Sequence, residues 1–195
     1  MSHHIYHTRG LILGSIPIGE SNRFYKILTE ELGLVWASAQ AVRMEKSKLR
    51  YSLQDFSWVT LDLVKGREVW RITSALEEVS RPALKANAGR FKIFIRLCAL
   101  ISRMIHGERQ EKELFADIFN LADFLESTNL PDELAFSIET LATARILMRL
   151  GYLGYILNNQ SIKIEGWSLD ILEMFEGERD EVTSKINEAL NASHL

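Results

Sequence analysis

Cysteine is almost absent from this chain, in which Cys98 is the only one among 195 residues. A lone cysteine can form neither an intrachain disulfide nor a thiolate zinc site, so we expect no structural metal. Long apolar runs are absent too, since none approaches the roughly eighteen residues that a membrane-spanning helix needs. The opening residues MSHHIYHTRG contain no apolar core of a signal peptide. These absences predict a cytoplasmic protein without a membrane segment.

The motifs of the common enzyme classes are absent as well. There is no Walker-type phosphate loop, no G-x-G-x-x-G and no G-x-S-x-G. The acids Glu108, Glu111 and Glu113 lie in a polar connection between predicted helices, where charged side chains are usually just solvated. We therefore expect a protein that is not an enzyme and uses no cofactor.

The chain does have an ordinary globular composition, with 47% hydrophobic and 25% charged residues. Its net charge of −3 is unevenly divided. Residues 1–75 carry ten Lys/Arg and seven Asp/Glu, a net of +3, whereas residues 76–195 carry thirteen and nineteen, a net of −6. We expect the two halves to meet different partners.

The first half has the pattern of short β-strands. Five segments are rich in β-branched and aromatic residues and are separated by turn signals such as Pro17-Ile18-Gly19, Glu31-Leu32-Gly33 and Lys65-Gly66-Arg67: 5–13, 24–29, 34–41, 56–64 and 68–74. In the fourth segment Val59, Leu61 and Leu63 share one face, and Trp58 lies on the opposite, wet face. Five short strands without a long helix between them predict a small closed or partly open barrel.

From about residue 82 the apolar residues recur every three or four positions, which predicts helices. Pro131-Asp132-Glu133 marks a helix start, and the apolar segment that follows is expected to be the central buried helix. It should extend to Leu150 and end at Gly151. The predicted fold class is α+β, with a barrel over residues 1–80 and an all-helical domain over residues 81–195.

The segment between the third and fourth predicted strands has the strongest local charge. It holds four cations and one acid in eight residues, the cations being Arg43, Lys46, Lys48 and Arg50. A basic loop on a small barrel suits contact with a phosphate backbone, because lysine and arginine there displace condensed counterions. The alternative is a solvated loop with a chance charge cluster.

Aromatic side chains in the strands are candidates for stacking on unpaired bases. For Tyr25, Trp36 and Trp70 the favoured interpretation is the barrel core or an interface. Trp58 is the preferred candidate, because it lies opposite the apolar face of its strand.

Several short motifs in the first half resemble the N-terminal signature of RecO proteins. They are Tyr6-x-Thr8-x-Gly10-Leu-Ile-Leu13, Gly19-Glu20-Ser21-x-Arg23 and Leu28-Thr29-x-x-x-Gly33. The likeness continues through Lys46-Ser47-Lys48-Leu49-Arg50 and Leu53-Gln54-x-Phe56 to the hairpin at Gly66. The helical remainder resembles the family in architecture and in Leu150-Gly151-Tyr152.

This resemblance implies an OB-fold N-terminal domain followed by a helical domain. It implies a recombination mediator that binds single- and double-stranded DNA, anneals complementary strands and helps to load a recombinase during DNA repair. The implied protein partners are a RecR-like protein and the C-terminal tail of the single-stranded DNA-binding protein. Many relatives carry a four-cysteine zinc site, whose cysteines this chain lacks. The implied DNA contacts are led by Arg43, Lys46, Lys48 and Arg50, followed by Arg23, Lys65 and Arg67.

An acidic, apolar tail needs an apolar groove with a cationic rim. Residues 90–96 and 145–149 offer that mixture, which makes Arg96 and Arg149 the candidate peptide contacts. The alternative is that their apolar members are core and their cations merely solubilise the surface. Two other functions stay open at this point, namely a protein-interaction adaptor whose barrel has lost DNA binding, and an RNA-binding OB-fold protein.

Overall fold

The computed structural model describes residues 4–154 and 159–192. The chain groups into two compact units. The first comprises the residues up to Ser80 together with His106–Phe115, and the second comprises Arg81–Ile105 and the residues from Ala116 onward. The segment His106–Phe115 therefore groups with the strands, although the sequence places it among the helices. The division into domains 1–80 and 81–195 stays a prediction, to be tested by expressing each part alone.

The first unit is a closed five-stranded barrel with the order β1-β2-β3-β5-β4. All neighbouring strands are antiparallel except β3 and β5, which pair in parallel at Ala37↔Trp70 and Ser38↔Arg71. This architecture confirms the predicted OB-like barrel. The strands are β1 (Ile5–Ile18), β2 (Asn22–Thr29), β3 (Gly33–Ala39), β4 (Trp58–Lys65) and β5 (Trp70–Val79).

Two strands are longer than their patterns predict. Strand β1 continues through Pro17, which pairs with Arg23, and the chain turns only at Gly19 with φ +58°. A proline is tolerated near a strand end, where a missing N–H costs little pairing. Strand β5 continues to Val79 instead of ending near residue 74.

The core of the barrel is built as the period-two pattern predicts. Val59, Leu61 and Leu63 have no exposed surface, and they pack with residues from the other strands. The prediction for Trp58 is wrong, because this side chain is only 2% exposed. Its ring packs edge-on against Phe115 at a centroid distance of 5.3 Å, so the outer face of β4 is covered there and Trp58 cannot stack on a base.

The second unit is helical, and the chain also forms a one-turn helix between β3 and β4. None of the described helices combines the length and the apolar character that crossing a membrane requires. The helices are α1 (Leu49–Ser52), α2 (Pro82–Ala86), α3 (Ala88–Met104), α4 (Lys112–Ser127), α5 (Ala135–Arg149), α6 (Gln160–Lys163), α7 (Leu169–Glu176) and α8 (Arg179–Ala192), with a 3-10 turn at Asp132–Leu134.

Helix α5 is the central helix of this unit, as predicted. Nine of its fifteen residues are buried, and it ends before Gly151, whose φ of +82° is typical of a helix-terminating glycine. The predicted start at Pro131 is confirmed, because the 3-10 turn follows it directly and leads into α5.

Candidate nucleic-acid interface

Residues 43–50, called here the basic loop, connect the third strand to α1 and end inside that helix. The side chains of Arg43, Lys46, Lys48 and Arg50 are all exposed. The start of the loop is held against the β1–β2 turn. The backbone N–H of Arg43 donates to the carbonyl of Ser21 over 2.9 Å, and its Nη1 donates to the carbonyl of Gly19 over 3.0 Å. The loop is therefore anchored to the barrel rather than loosely tethered.

Three of the predicted DNA contacts converge on one pocket. Arg23 from β2, Arg43 from the loop and Arg50 from α1 line a cavity of about 340 Å³, called here the arginine pocket. None of its lining residues is acidic, the others being Tyr25, Val42, Leu53 and Gln54. The result is a concave surface with three guanidinium groups at the mouth of the barrel.

The floor of the arginine pocket is the barrel core itself. Tyr25, Val42 and Leu53 belong to the core cluster and are almost completely buried. Burial raises the pKa of Tyr25 above its usual value, with the nearby Arg23 charge opposing that effect. The Nε of Arg23 is buried and has no hydrogen-bond partner within the described part of the chain. A guanidinium in this position is available to an anion.

Lys65 and Arg67 lie elsewhere, at the β4–β5 hairpin. Residue Ile5 of β1 pairs with Val64 next to this hairpin, whereas the other end of β1 leads into the turn beside the arginine pocket. The Nζ of Lys65 contacts Glu108 Oε2 at 2.8 Å, and this hydrogen bond raises the pKa of Lys65. Arg67 is exposed. The hairpin cations are thus a separate site, and Lys65 already has a carboxylate partner.

Among the strand aromatics that the sequence offers for stacking, Trp36 is exposed and Trp58 is buried. Trp36 of β3 is 43% exposed and pairs with Lys26 of the neighbouring strand β2. The Nζ of Lys26 lies 5.5 Å from the centre of the indole, and burial lowers the pKa of this lysine. Phe24 and Ser38 pair beside them, and the four residues together are called here the β2–β3 face. An exposed ring beside a cation is suited to base stacking.

The sequence does contain a signal that Trp36 is exposed. Val35 and Ala37 are core residues, so the alternation of a strand places Trp36 on the outer face. Tyr25 and Trp70 are buried in the barrel, which is the interpretation the sequence favoured for them. No comparable signal marked Lys26, because its partner becomes apparent only from the strand register.

The two candidate peptide contacts differ in their surroundings. Arg96 is exposed, pairs with Glu139, and lines a cavity of about 390 Å³ together with Lys92, Ile93 and Phe136. Arg149 does not line that cavity; its side chain is 22% exposed, and its Nε lies 3.5 Å from Asp117 Oδ2. The two positions therefore do not form one groove.

Arg145, at the start of the second candidate segment, is a structural residue. Its side chain is 2% exposed and stacks on Trp167 at 4.2 Å. The guanidinium donates to the carbonyl of Gly166 over 2.8 Å and to that of Ile164 over 2.6 Å. Burial lowers the pKa of Arg145, although the charge of Asp117 opposes that shift. This cation holds a loop in place and is not offered to a ligand.

The side chains described here include no group of three His, Cys, Asp or Glu residues that could hold a metal ion. Cys98 is a buried free thiol, and burial raises its pKa far above the usual range. It packs as a small apolar residue in α3. The expected absence of zinc stays a prediction.

Comparison with known proteins identifies similar chains. Residues 1–78 match the family described as recombination protein O N terminal. The chain is 33% identical to the DNA repair protein RecO of Gloeothece citriformis, over 56% of this chain and 39% of that one. It is 32% identical to the DNA repair protein RecO of Salmonella paratyphi B, over 77% and 59% respectively. This chain spans about half the length of the curated relatives it matches.

Proposed function

Because this chain belongs to the RecO family through its N-terminal domain, we propose that it is a DNA-binding mediator of recombinational DNA repair. In this role it anneals complementary strands and helps to load a recombinase on single-stranded DNA. The observation that carries the proposal is the arginine pocket, which gathers Arg23, Arg43 and Arg50 beside the exposed Lys46 and Lys48.

The arrangement supplies both interactions that binding to an unpaired strand requires. Cations of the basic loop neutralise phosphates and release counterions, which gives affinity without sequence preference. The β2–β3 face adds Trp36, and stacking of a base on such a ring contributes roughly 1–3 kcal/mol. The proposed activity needs no bond making or breaking, so no catalytic group is assigned.

The test is fluorescence anisotropy with single-stranded DNA, duplex DNA and RNA of one sequence at two salt concentrations. We expect both forms of DNA to bind. Trp36→Ala should lower the affinity for single-stranded DNA about five-fold or more and the affinity for duplex DNA less. The conservative Trp36→Phe is the matched control and should retain most of the affinity. Preferential binding of RNA would favour an RNA-binding protein, and no binding to any of the three would favour an interaction adaptor.

Annealing is measured separately from binding. Two complementary strands with a fluorescence-transfer pair should anneal faster in the presence of the protein, because neutralised phosphates repel one another less. Charge-reversed Lys46→Glu should reduce the annealing rate at a protein concentration that saturates the wild-type effect. An unchanged rate in wild-type protein at all concentrations contradicts the annealing part of the proposal.

For protein partners we propose a RecR-like protein and the acidic C-terminal tail of the single-stranded DNA-binding protein. The support for the tail is the cavity along α3, which combines apolar Ile93 and Phe136 with the cations Lys92 and Arg96. Since Arg96 is paired with Glu139, an incoming carboxylate must compete with that side chain.

A fluorescent peptide ending in this tail tests the groove. Arg96→Glu should lower its affinity at least about ten-fold, a change of about 1.4 kcal/mol. Glu139→Gln should raise the affinity, because it frees Arg96 from its competitor. Arg149→Glu tests the second candidate position, whose cation already faces Asp117. Equal affinity of wild type and all three variants contradicts this placement of the partner site.

A further inference from the structure

The arginine pocket has a shape that contact with a passing strand does not require. Its three cations come from three separate elements, and its floor is closed by core residues of the barrel, among them Tyr25 and Leu53. A chain cannot run through a packed core, so the closed floor suits the end of a strand better than a continuous backbone. A flat basic surface would serve a continuous phosphate backbone equally well.

The pocket is held in place and is not neutralised by the protein. Arg43 is fixed through the carbonyl of Gly19, and the Nε2 of Gln54 donates to the carbonyl of Arg50 on the short helix α1. None of the three arginines forms an ion pair with a carboxylate among residues 4–154 and 159–192. The nearby carboxyl group of Asp55 accepts a hydrogen bond from Ser15 and does not line the pocket.

We propose that the arginine pocket binds the terminal phosphate monoester of a nucleic-acid strand, so that the barrel recognises a phosphorylated strand end. This inference rests on the proposed function and adds a specific ligand to it. The terminal phosphate can belong to a 5′ or a 3′ end, since the chemistry that the pocket reads is the monoester itself.

A terminal monoester fits the donor set better than an internal diester does. It carries a charge of about −1.5 to −2 and three terminal oxygens, whereas a diester carries one charge and two free oxygens. Guanidinium groups present fixed pairs of donors that match such oxygens. The Tyr25 hydroxyl is protonated at neutral pH like any phenol, and burial raises its pKa further, so it is a further potential donor at the floor. A cavity of about 340 Å³ holds a phosphate group and part of its sugar.

The experiment compares four single-stranded oligonucleotides of about 20 nucleotides that carry an internal fluorophore. One has hydroxyl groups at both ends, one a 5′-phosphate and one a 3′-phosphate. The fourth has hydroxyl ends and two more nucleotides, which matches the added charge of a terminal phosphate. We expect one phosphorylated oligonucleotide to bind at least ten-fold more tightly than both hydroxyl-ended ones.

Two variants assign that preference to the pocket. Arg23→Gln and Arg50→Gln should each reduce the preference below about two-fold, whatever they do to the overall affinity. Arg50 is exposed and Arg23 is half-buried, so thermal melting of both variants shows whether the fold is intact. Lys163→Gln removes an exposed cation of the helical unit and should leave the ten-fold preference unchanged.

The outcomes separate this inference from the proposed function. If all four oligonucleotides bind with similar affinity, end recognition is overturned and nucleic-acid binding stands. End recognition is also overturned if a preference exists but survives in both folded arginine variants. If none of the oligonucleotides binds, both the inference and the proposed function are overturned.

Discussion

Replacing Lys46, Lys48 and Arg50 by alanine removes three of the four cations of the basic loop at once. All three side chains are exposed. The nearby core residues Val42 and Leu53 are untouched by the change. We therefore expect the triple variant to fold like the wild type, with a melting temperature within a few degrees. Its effect should be confined to phosphate binding.

The magnitude follows from counterion release. For single strands each phosphate contact contributes about −0.7 to the slope of log affinity against log salt. Loss of three contacts should therefore make the slope less negative by about 2. If the electrostatic contribution vanishes near 1 M salt, the same figure predicts about a 100-fold weaker affinity at 0.1 M and about 30-fold at 0.2 M. The loss shrinks as salt rises, which distinguishes it from loss of a stacking contact.

The measurement is a series of anisotropy titrations between about 0.05 and 0.3 M salt, a range in which the counterion relation is linear. The control variant removes the same charge from the helical unit by replacing the exposed Lys85, Arg103 and Lys163 with alanine. We expect the control to keep the wild-type slope. A folded triple variant of the basic loop with unchanged affinity and slope refutes the assignment of DNA contacts to this loop.

Three further predictions concern the framework of the protein. Gly33→Ala should destabilise the fold by at least about 2 kcal/mol in chemical denaturation, because Gly33 has φ +72° and an added Cβ lies 2.1 Å from the carbonyl oxygen of Arg109; a loss below about 0.5 kcal/mol contradicts it. Arg145→Met should lower the free energy of unfolding by about 3–5 kcal/mol, because it leaves the buried Asp117 and the bonded carbonyls without their cation. Arg149→Met should lower it clearly less, and equal losses would show that Arg145 is not the structural cation. Elemental analysis of untagged protein should find far less than one zinc per chain, since the described residues include no group of three His, Cys, Asp or Glu side chains that could hold the ion; one tightly held zinc per chain disproves this.

The strands could be predicted because the residues within each short segment are enough to indicate it. Alternation in β4 separates Val59, Leu61 and Leu63 from the opposite face, and a turn glycine such as Gly33 marks where the next strand begins. The lengths of β1 and β5 were less predictable, because pairing with a neighbour can extend a strand past its own pattern. Pro17 shows this, since it stays in β1 opposite Arg23.

Trp58 was wrongly predicted to be exposed, because the pattern within a strand does not show what packs on its outer face. Alternation tells which residues share a face, but it does not tell which face a distant segment covers. Phe115 lies far along the chain and closes over Trp58, while Trp36 keeps an open face next to Lys26. The choice between the two tryptophans is thus made by tertiary packing, not by the strands that carry them.

The role of a cation likewise depends on the partner that the fold gives it. Arg145 and Arg149 look in the sequence like the rim of an apolar groove, yet Asp117 lies within 3.6 Å and 3.5 Å of them, and Arg145 is buried. Arg23 and Arg43 instead converge on a pocket without a lining carboxylate. A buried cation that is already paired is not available to a ligand, because drawing it away would leave its partner as an uncompensated buried charge. A cation in a cavity whose lining holds no carboxylate stays available to an anion from outside, which is why the interface is assigned to the mouth of the barrel and not to the end of the central helix.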